Sequence, residues 1–198
     1  MPGSVAVIVF ARAPVPGRVK TRLIPVLGDW GAARLHRRLL RRALATARAA
    51  RCGPVELHGS ERHSLFRAAA FFRTQRGADL GERMQRATAG ALRRHHGVIL
   101  IGTDCPALRP ADLRRAAALL RAGYHAVLAP AEDGGYALVA LSRPVPGLFR
   151  DIEWGTASVW RQTMDRMAAG GTRWRALRKV WDVDRPQDLA RLKKLHWI

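Results

Sequence analysis

The chain contains no asparagine, only two cysteines and only 7 % aromatic residues, and just four of its 35 Lys and Arg side chains are lysines (Lys20, Lys179, Lys193, Lys194). Cys52 and Cys105 form no Cys-x-x-Cys pair, which argues against a zinc ribbon or a disulfide scaffold and fits a reducing cytoplasm. No apolar run approaches the roughly 20 residues of a membrane span. The N-terminal MPGSVAVIVF lacks a basic region and its apolar run is short, so it reads as a first strand rather than a signal peptide. Acids are also scarce: 15 Asp and Glu leave a formal net charge of +20. Such a field attracts polyanions. The arginine-rich stretch from Arg34 to Arg51, however, carries no aromatic residue, so a basic nucleic-acid-binding module ranks as the remotest alternative. An Ala-rich, Asn-free chain with Arg in place of Lys is what a GC-rich genome produces on solvated faces. What the sequence does have is 48 % hydrophobic residues over 198 positions. That suffices for one core, and a single domain over 1–198 is expected.

Apolar runs of strand length alternate with helical patterns. Val5–Phe10 is continuous, as in a parallel strand buried on both faces. Pro14, Pro16 and Pro25 mark a loop, and Asp29 is expected to cap a helix running to Arg51 with Gly53 as its stop. The pattern then predicts a strand over 55–58, helices over 61–71 and 81–94, and a strand over 98–102. A helix opens at Pro110 and ends before Gly123, strands cover 126–129 and 136–141, and helices cover 158–168 and 186–194. The alternation implies right-handed crossovers and a three-layer α/β/α domain with a mostly parallel sheet.

Ligands of such sheets bind beyond the carboxyl ends of the strands, and the chemically informative segments follow strands. After the first comes ARAPVPGRVKTR, where Gly17 permits close approach and Arg12, Arg18, Lys20 and Arg22 have the composition of a phosphate cradle. The fragment is not a Walker A loop, because the glycine before the lysine and the spacing are missing. Asp104, in Ile101-Gly102-Thr103-Asp104-Cys105-Pro106, ends a buried strand, where a divalent cation is the obvious partner and capping a turn the lesser alternative. Cys105 reads as a packed thiol. Glu132-Asp133-Gly134-Gly135-Tyr136 has the composition of a tight turn. In Trp181-Asp182-Val183-Asp184-Arg185-Pro186, acids at i and i+2 of an extended segment can share one cation. Asp104 and Asp184 are then expected to repel one another without it. The seven histidines show no metal-ligand spacing.

The ordered motifs FARAPVPGRVKTRL, DLGERM, IGTDCPAL, AEDGGYALVAL, FRDIEWGTAS and WDVDRPQDL resemble one bacterial family over nearly the whole chain. It is the rSAM/selenodomain-associated transferases, often labelled arsenosugar-biosynthesis glycosyltransferases, of the nucleotide-diphospho-sugar transferase (GT-A, Rossmann-like) fold. More distantly the order is similar to phospholactate and molybdenum-cofactor guanylyltransferases. The resemblance implies that Arg12, Gly17, Arg18, Lys20 and Arg22 hold nucleotide phosphates and that Asp79, Gly81, Glu82 and Arg83 face the nucleoside. It implies magnesium or manganese on Asp104, Asp184 and Asp182, and catalytic roles for Asp104 and Asp133. Gly134, Gly135, Tyr136, Asp151, Trp154, Gly155 and Thr156 would border the acceptor. Two departures stand out: Ala137 replaces the family's second aromatic, and Thr103-Asp104-Cys105 carries one Asp where many glycosyltransferases have Asp-x-Asp. The implied activity is metal-dependent transfer from a nucleotide sugar to a small-molecule acceptor, with nucleotidyl transfer from an NTP as the alternative. Both use the same cation and phosphate cradle.

Overall fold

The computed structural model describes residues 4–67 and 69–194. Seven strands form one sheet: β1 (Val5–Ala11), β2 (Val55–Gly59), β3 (Phe72–Thr74), β4 (Gly97–Ile101), β5 (Ala126–Pro130), β6 (Tyr136–Leu141) and β7 (Trp174–Ala176). Their order is β3-β2-β1-β4-β6-β5-β7. All neighbours are parallel except β6, which runs antiparallel to both β4 and β5. Five helices complete the layers: α1 (Ile24–Ala50), α2 (Leu80–Leu92), α3 (Pro110–Arg121), α4 (Val159–Ala169) and α5 (Leu189–Lys194). No helix among the described residues is long and apolar enough to cross a membrane.

The strict alternation of side chains along a strand explains the three layers. On β1, Val5, Val7 and Val9 join one core with Leu40 and Ala43 of α1 and Leu113 and Ala116 of α3. Ala6, Ile8 and Phe10 enter the other core with Met84 and Ala91 of α2 and Met167 of α4. A central strand buried on both faces therefore needs apolar residues at every position, and all seven of β1 are buried. A third, smaller cluster sits at the carboxyl edge of the sheet. Leu23, Leu35 and Leu39 pack there on Val183, Leu189 and Leu192. It clamps the segment after β7 against the turn that follows the loop after β1.

Two expected elements differ, and β3 and β7 are additional. The 61–71 stretch is not a helix; it forms a 3-10 turn at Ser64–Phe66 and then leads into β3. Phe66 is buried and stacks on Phe72 with ring centroids 5.5 Å apart. Burying that pair beneath β2 takes a strand that a short polar-rich stretch does not announce. β7, a three-residue strand paired only with β5, escaped the sequence pattern for the same reason. Helix α1 begins earlier than Asp29 and breaks at Gly28, whose φ is +66°, and it ends on Arg51 in the left-handed region rather than on Gly53.

One buried charge bears on stability. The Glu56 carboxylate on β2, only 6 % exposed, accepts hydrogen bonds from His58 Nε2 at 3.0 Å, Arg73 Nε at 3.1 Å and Arg94 at 2.6 Å. The His58 hydrogen bond, opposed by burial and reinforced by Arg94, pulls its pKa down to about 2. A carboxyl whose pKa is depressed on folding stabilises the protein above its unfolded value. That contribution is lost as the pH falls from about 4.5 towards 2. The expected loss is on the order of 2–3 kcal/mol. Urea midpoints of wild type and Glu56→Gln at pH 6 and pH 3 check it: the wild type should lose markedly more than the variant. Equal losses would refute it.

Candidate functional site

The loop after β1 turns at Gly17, where φ is +76°, and is anchored by Ala13 N donating to Ser60 Oγ at 3.2 Å. It ends on Lys20, which adopts a left-handed conformation (φ +50°) uncommon for a side chain of this size. The consequence is that the lysine turns inward. Its side chain is 3 % exposed, and Nζ donates to the Val183 carbonyl and pairs with Asp104 Oδ1 at 2.9 Å. A buried ammonium is tolerated only with such partners. Arg12 and Arg18 stay exposed at the mouth, Arg18 beside Glu61 at 3.4 Å. Arg22 forms an ion pair with Asp184.

Asp104 follows β4 and is half exposed. Thr103 Oγ1 donates to Oδ1 at 3.1 Å, and the Asp104 carbonyl accepts from Val183 N at 2.9 Å. Burial works to raise its carboxyl pKa, but the Lys20 ammonium, with His36 and the Thr103 hydroxyl, outweighs it and holds the group below its usual value. His36, on the buried face of α1, is a residue the sequence reasoning missed. Its Nε2–H donates to the Arg12 carbonyl at 3.0 Å, which leaves Nδ1 as a bare acceptor 4.0 Å from Asp104 Oδ1 with no hydrogen-bond partner. Burial lowers the His36 pKa, so the ring is neutral near pH 7. The signal was present in the sequence as a polar residue inside the apolar stripe Leu35, Leu39, Leu40.

The carboxylates divide differently from the expected arrangement. Asp104 and Asp184 do not face each other as a repelling pair, since each is held by a cation of the β1 loop. Asp182 instead shares a field with Asp133 and Asp104: burial first, then those two charges, push its pKa up to about 6. Among the described residues no three His, Cys, Asp or Glu side chains converge closely enough to hold a metal ion. The donor set still fits magnesium or manganese, because such ions are commonly held by one or two carboxylates with substrate phosphates completing the shell. Asp182 and Asp104 are that kind of set: two oxygen donors that raise each other's energy, beside a basic loop.

The stretch 132–135 is a tight turn, and its Asp133 charge acts on Asp182. Asp133 Oδ1 accepts from Gly135 N at 2.9 Å, and the Gly134 carbonyl accepts from Trp160 N at 2.8 Å. Glu132 N binds the Val180 carbonyl at 3.0 Å, tying the turn to the segment that carries Asp182. Of the expected acceptor-side residues, Gly155 and Thr156 are exposed nearby, and Thr156 Oγ1 donates to the Glu153 carbonyl. Trp154 packs edge-on against the half-buried Tyr136 at 6.2 Å. Burial raises the Tyr136 pKa, so its hydroxyl keeps its proton at pH 7. Asp151 is exposed with φ +51°, and its carbonyl accepts from Arg166.

The residues expected to face the nucleoside are mostly engaged in building the start of α2. Asp79 caps the helix by accepting from Glu82 N at 2.8 Å, and Glu82 accepts from Ala78 N at 2.7 Å and pairs with Arg86. Arg83 Nε donates to the Gly77 carbonyl. Gly81 is buried, and a Cβ there would lie 2.1 Å from the Phe149 carbonyl oxygen. Its glycine is a packing requirement. Cys105 is a packed thiol as expected: it donates to the Trp181 carbonyl at 3.0 Å, and burial pushes its pKa up to about 12.

Residues 43–156 match a family model described as an uncharacterized protein conserved in bacteria, DUF2064. The chain belongs to this family. Among solved structures, this DUF2064 protein is similar to a Desulfovibrio desulfuricans G20 protein described as a candidate nucleotide-diphospho-sugar transferase. The two are 32 % identical with a TM-score of 0.88, over 99 % of this chain and 88 % of that one. Rv0371c of Mycobacterium tuberculosis H37Rv, solved in complex with manganese, is 24 % identical with a TM-score of 0.60, over 98 % and 100 % of the two chains. A CMP:2-keto-3-deoxy-manno-octonic acid synthetase complexed with CTP shares the fold at 12 % identity and a TM-score of 0.64, over 98 % of both. No protein of curated function matches the chain. The DUF2064 protein thus has the mostly parallel fold of nucleotide-diphospho-sugar transferases, with its acids and its buried lysine at the edge where such folds bind ligands.

Proposed function

We propose that the chain is a metal-dependent transferase using a nucleotide-activated donor, a glycosyltransferase that passes a sugar to a small-molecule acceptor in the cytoplasm. The observation that carries this reading is the buried Lys20 ammonium bonded to Asp104 at the carboxyl edge of β1 and β4, with Asp182 and Asp133 in the same field. Arg12, Arg18 and Arg22 line the approach for a diphosphate, with Gly17 allowing it near the backbone. Lys20 places a fixed positive charge where the departing diphosphate gains negative charge. Asp104 and Asp182 would hold magnesium or manganese, with Asp184 beside them; when bound, such a cation supplies further positive charge to the leaving group. Asp133, whose Oδ1 is taken by Gly135 N, offers Oδ2 to the proton of an acceptor hydroxyl. Gly134, Gly135, Tyr136, Asp151, Trp154, Gly155 and Thr156 would form the acceptor's side of the cleft, and Asp79, Gly81, Glu82 and Arg83 the frame beside the nucleoside. The resemblance to the arsenosugar-type glycosyltransferases supports sugar transfer, and the two free thiols fit a reducing compartment. Cytoplasmic nucleotidyl transfer remains the second reading, favoured by the single strand-end Asp104 in place of an Asp-x-Asp pair.

A nucleotide sugar or NTP should raise the melting temperature only in the presence of magnesium or manganese. At 100 times its dissociation constant a ligand adds about 2.7 kcal/mol. For a domain of this size that amounts to roughly 5–10 °C. A panel in which no nucleotide moves the midpoint under any metal condition would sink the transferase reading. Product analysis then separates the two chemistries: nucleoside diphosphate marks sugar transfer, and pyrophosphate marks nucleotidyl transfer.

A further inference from the structure

Between β3 and α2, on the flank of the sheet, lies a cavity of about 480 Å³ that shares only Arg83 with the proposed active crevice. Seven of its lining residues are arginines. Two of them, Arg73 on β3 and Arg94 just beyond α2, stand on opposite walls and both bind the buried Glu56 carboxylate, which ties the walls together. Arg86 is held by Glu82 one helical turn away. Arg83 spends only its Nε on the Gly77 carbonyl, so its two terminal nitrogens remain available. Arg62, Arg76 and Arg93 have no carboxylate partner among the described residues. A solvated arginine face spreads its charge over a convex surface. Here seven arginines line one concavity, and an interior carboxylate, itself almost fully buried, fixes the orientation of two of them. The volume is that of an ordinary small-molecule site.

We infer that this cavity is a second anion site, distinct from the Lys20–Asp104 crevice and adjoining it only at Arg83, whose ligand is a polyphosphate chain. Guanidinium groups remain charged at any physiological pH and present paired N–H donors that match phosphate oxygens. With Glu56 and Glu82 satisfied by Arg73, Arg94 and Arg86, the four arginines left over call for a ligand with several negative charges rather than one. A half-open cavity of this volume suits a compact ligand better than an extended strand of nucleic acid. The chain could be free or could be the tail of a nucleoside triphosphate, since the same groups recognise both.

The test is calorimetric titration of the intact protein with inorganic tripolyphosphate, in EDTA and at low salt. It compares wild type, the double variant Arg62→Gln/Arg93→Gln, and Lys20→Gln in the other site. Both altered arginines are exposed, and the double variant should keep its metal-dependent nucleotide shift in the crevice. Wild type and Lys20→Gln should bind the probe alike, while the double variant binds at least about tenfold more weakly. Equal affinity for tripolyphosphate and GTP marks the free chain as sufficient; tighter binding of GTP, lost in the same double variant, marks the nucleotide as its source. Either result supports the site. Three results overturn it: no saturable binding by wild type, binding lost in Lys20→Gln but not in the double variant, or a short single-stranded oligonucleotide that binds far more tightly than either probe and depends on Arg62 and Arg93. Loss of the crevice response alone, with tripolyphosphate binding intact, would count against the transferase reading and leave the second site standing.

Discussion

Asp104→Asn is expected to lower the melting temperature of the ligand-free protein and to abolish its metal-dependent response to nucleotide. Mutual repulsion of strand-end acids would instead leave that substitution neutral or stabilising. The structure reverses the sign, because Asp104 is the counter-charge of a lysine whose side chain is 3 % exposed. Without it, the ammonium keeps only the Val183 carbonyl and whatever the Asn amide oxygen offers. Breaking a fully buried pair costs about 3–5 kcal/mol. Asp104 is half open to water, so water partly replaces what is lost, and about 2–3 kcal/mol is the fitting expectation. That corresponds to roughly 4–12 °C. Adding Lys20→Met to Asp104→Asn removes the stranded charge and should recover much of the loss, giving a clear coupling in a double-mutant cycle. The measurement is ligand-free melting of the four proteins, repeated with nucleotide and metal. An Asp104→Asn protein as stable as wild type would refute the pairing; a destabilised one that still responds to nucleotide and metal would remove Asp104 from the site.

Gly134→Ala should be the most damaging of the small changes in the crevice. Its φ of +89° disfavours any side chain, and a Cβ there would lie 2.6 Å from both the Cα and the carbonyl oxygen of Ala157. Those are backbone atoms just before α4, so rotating a side chain brings no relief. Strain and overpacking together should cost about 2–4 kcal/mol. The displacement would also move the adjacent Asp133 and break the bond from Trp160 N to the Gly134 carbonyl. Activity should therefore fall along with stability. Gly155→Ala is the control: φ is +82°, but no atom lies within 4 Å of the added Cβ. Backbone strain alone should cost it about 1 kcal/mol. Chemical denaturation of both variants decides the matter, and equal losses would show that the contact with Ala157 does not matter.

The roles of individual residues were legible to different degrees. Lys20 could be picked out as part of a basic loop after a strand, but nothing in the sequence says that it turns inward. That follows from a left-handed backbone at one position and from a carbonyl 163 residues away. Asp182 and Asp184 look equivalent at i and i+2, yet one shares a field with Asp133 and Asp104 while the other meets Arg22. The i, i+2 rule describes a straight strand, and the Trp181–Arg185 segment is not one. The DLGERM motif could be located but not interpreted. Helix caps and nucleotide contacts draw on the same acids and glycines; the capping bonds of Asp79 and Glu82 and the close approach of Gly81 to Phe149 appear only in the fold.

By itself the sequence determined the α/β layers, the parallel core and the edge of the sheet where chemistry belongs. Those depend on local periodicity: unbroken apolar runs at β1 and β4, amphipathic stripes on the helices, and loops of Gly, Pro and charge that can only follow strands. Tertiary structure alone decided the partners. The Lys20–Asp104 bond, the neutral His36 behind it, the buried Glu56 that gathers Arg73 and Arg94, and the β3 and β7 edges all join residues distant in the chain or segments too short to show a period. Such contacts form only between particular partners brought together from distant parts of the chain, and that is settled only when the whole fold closes.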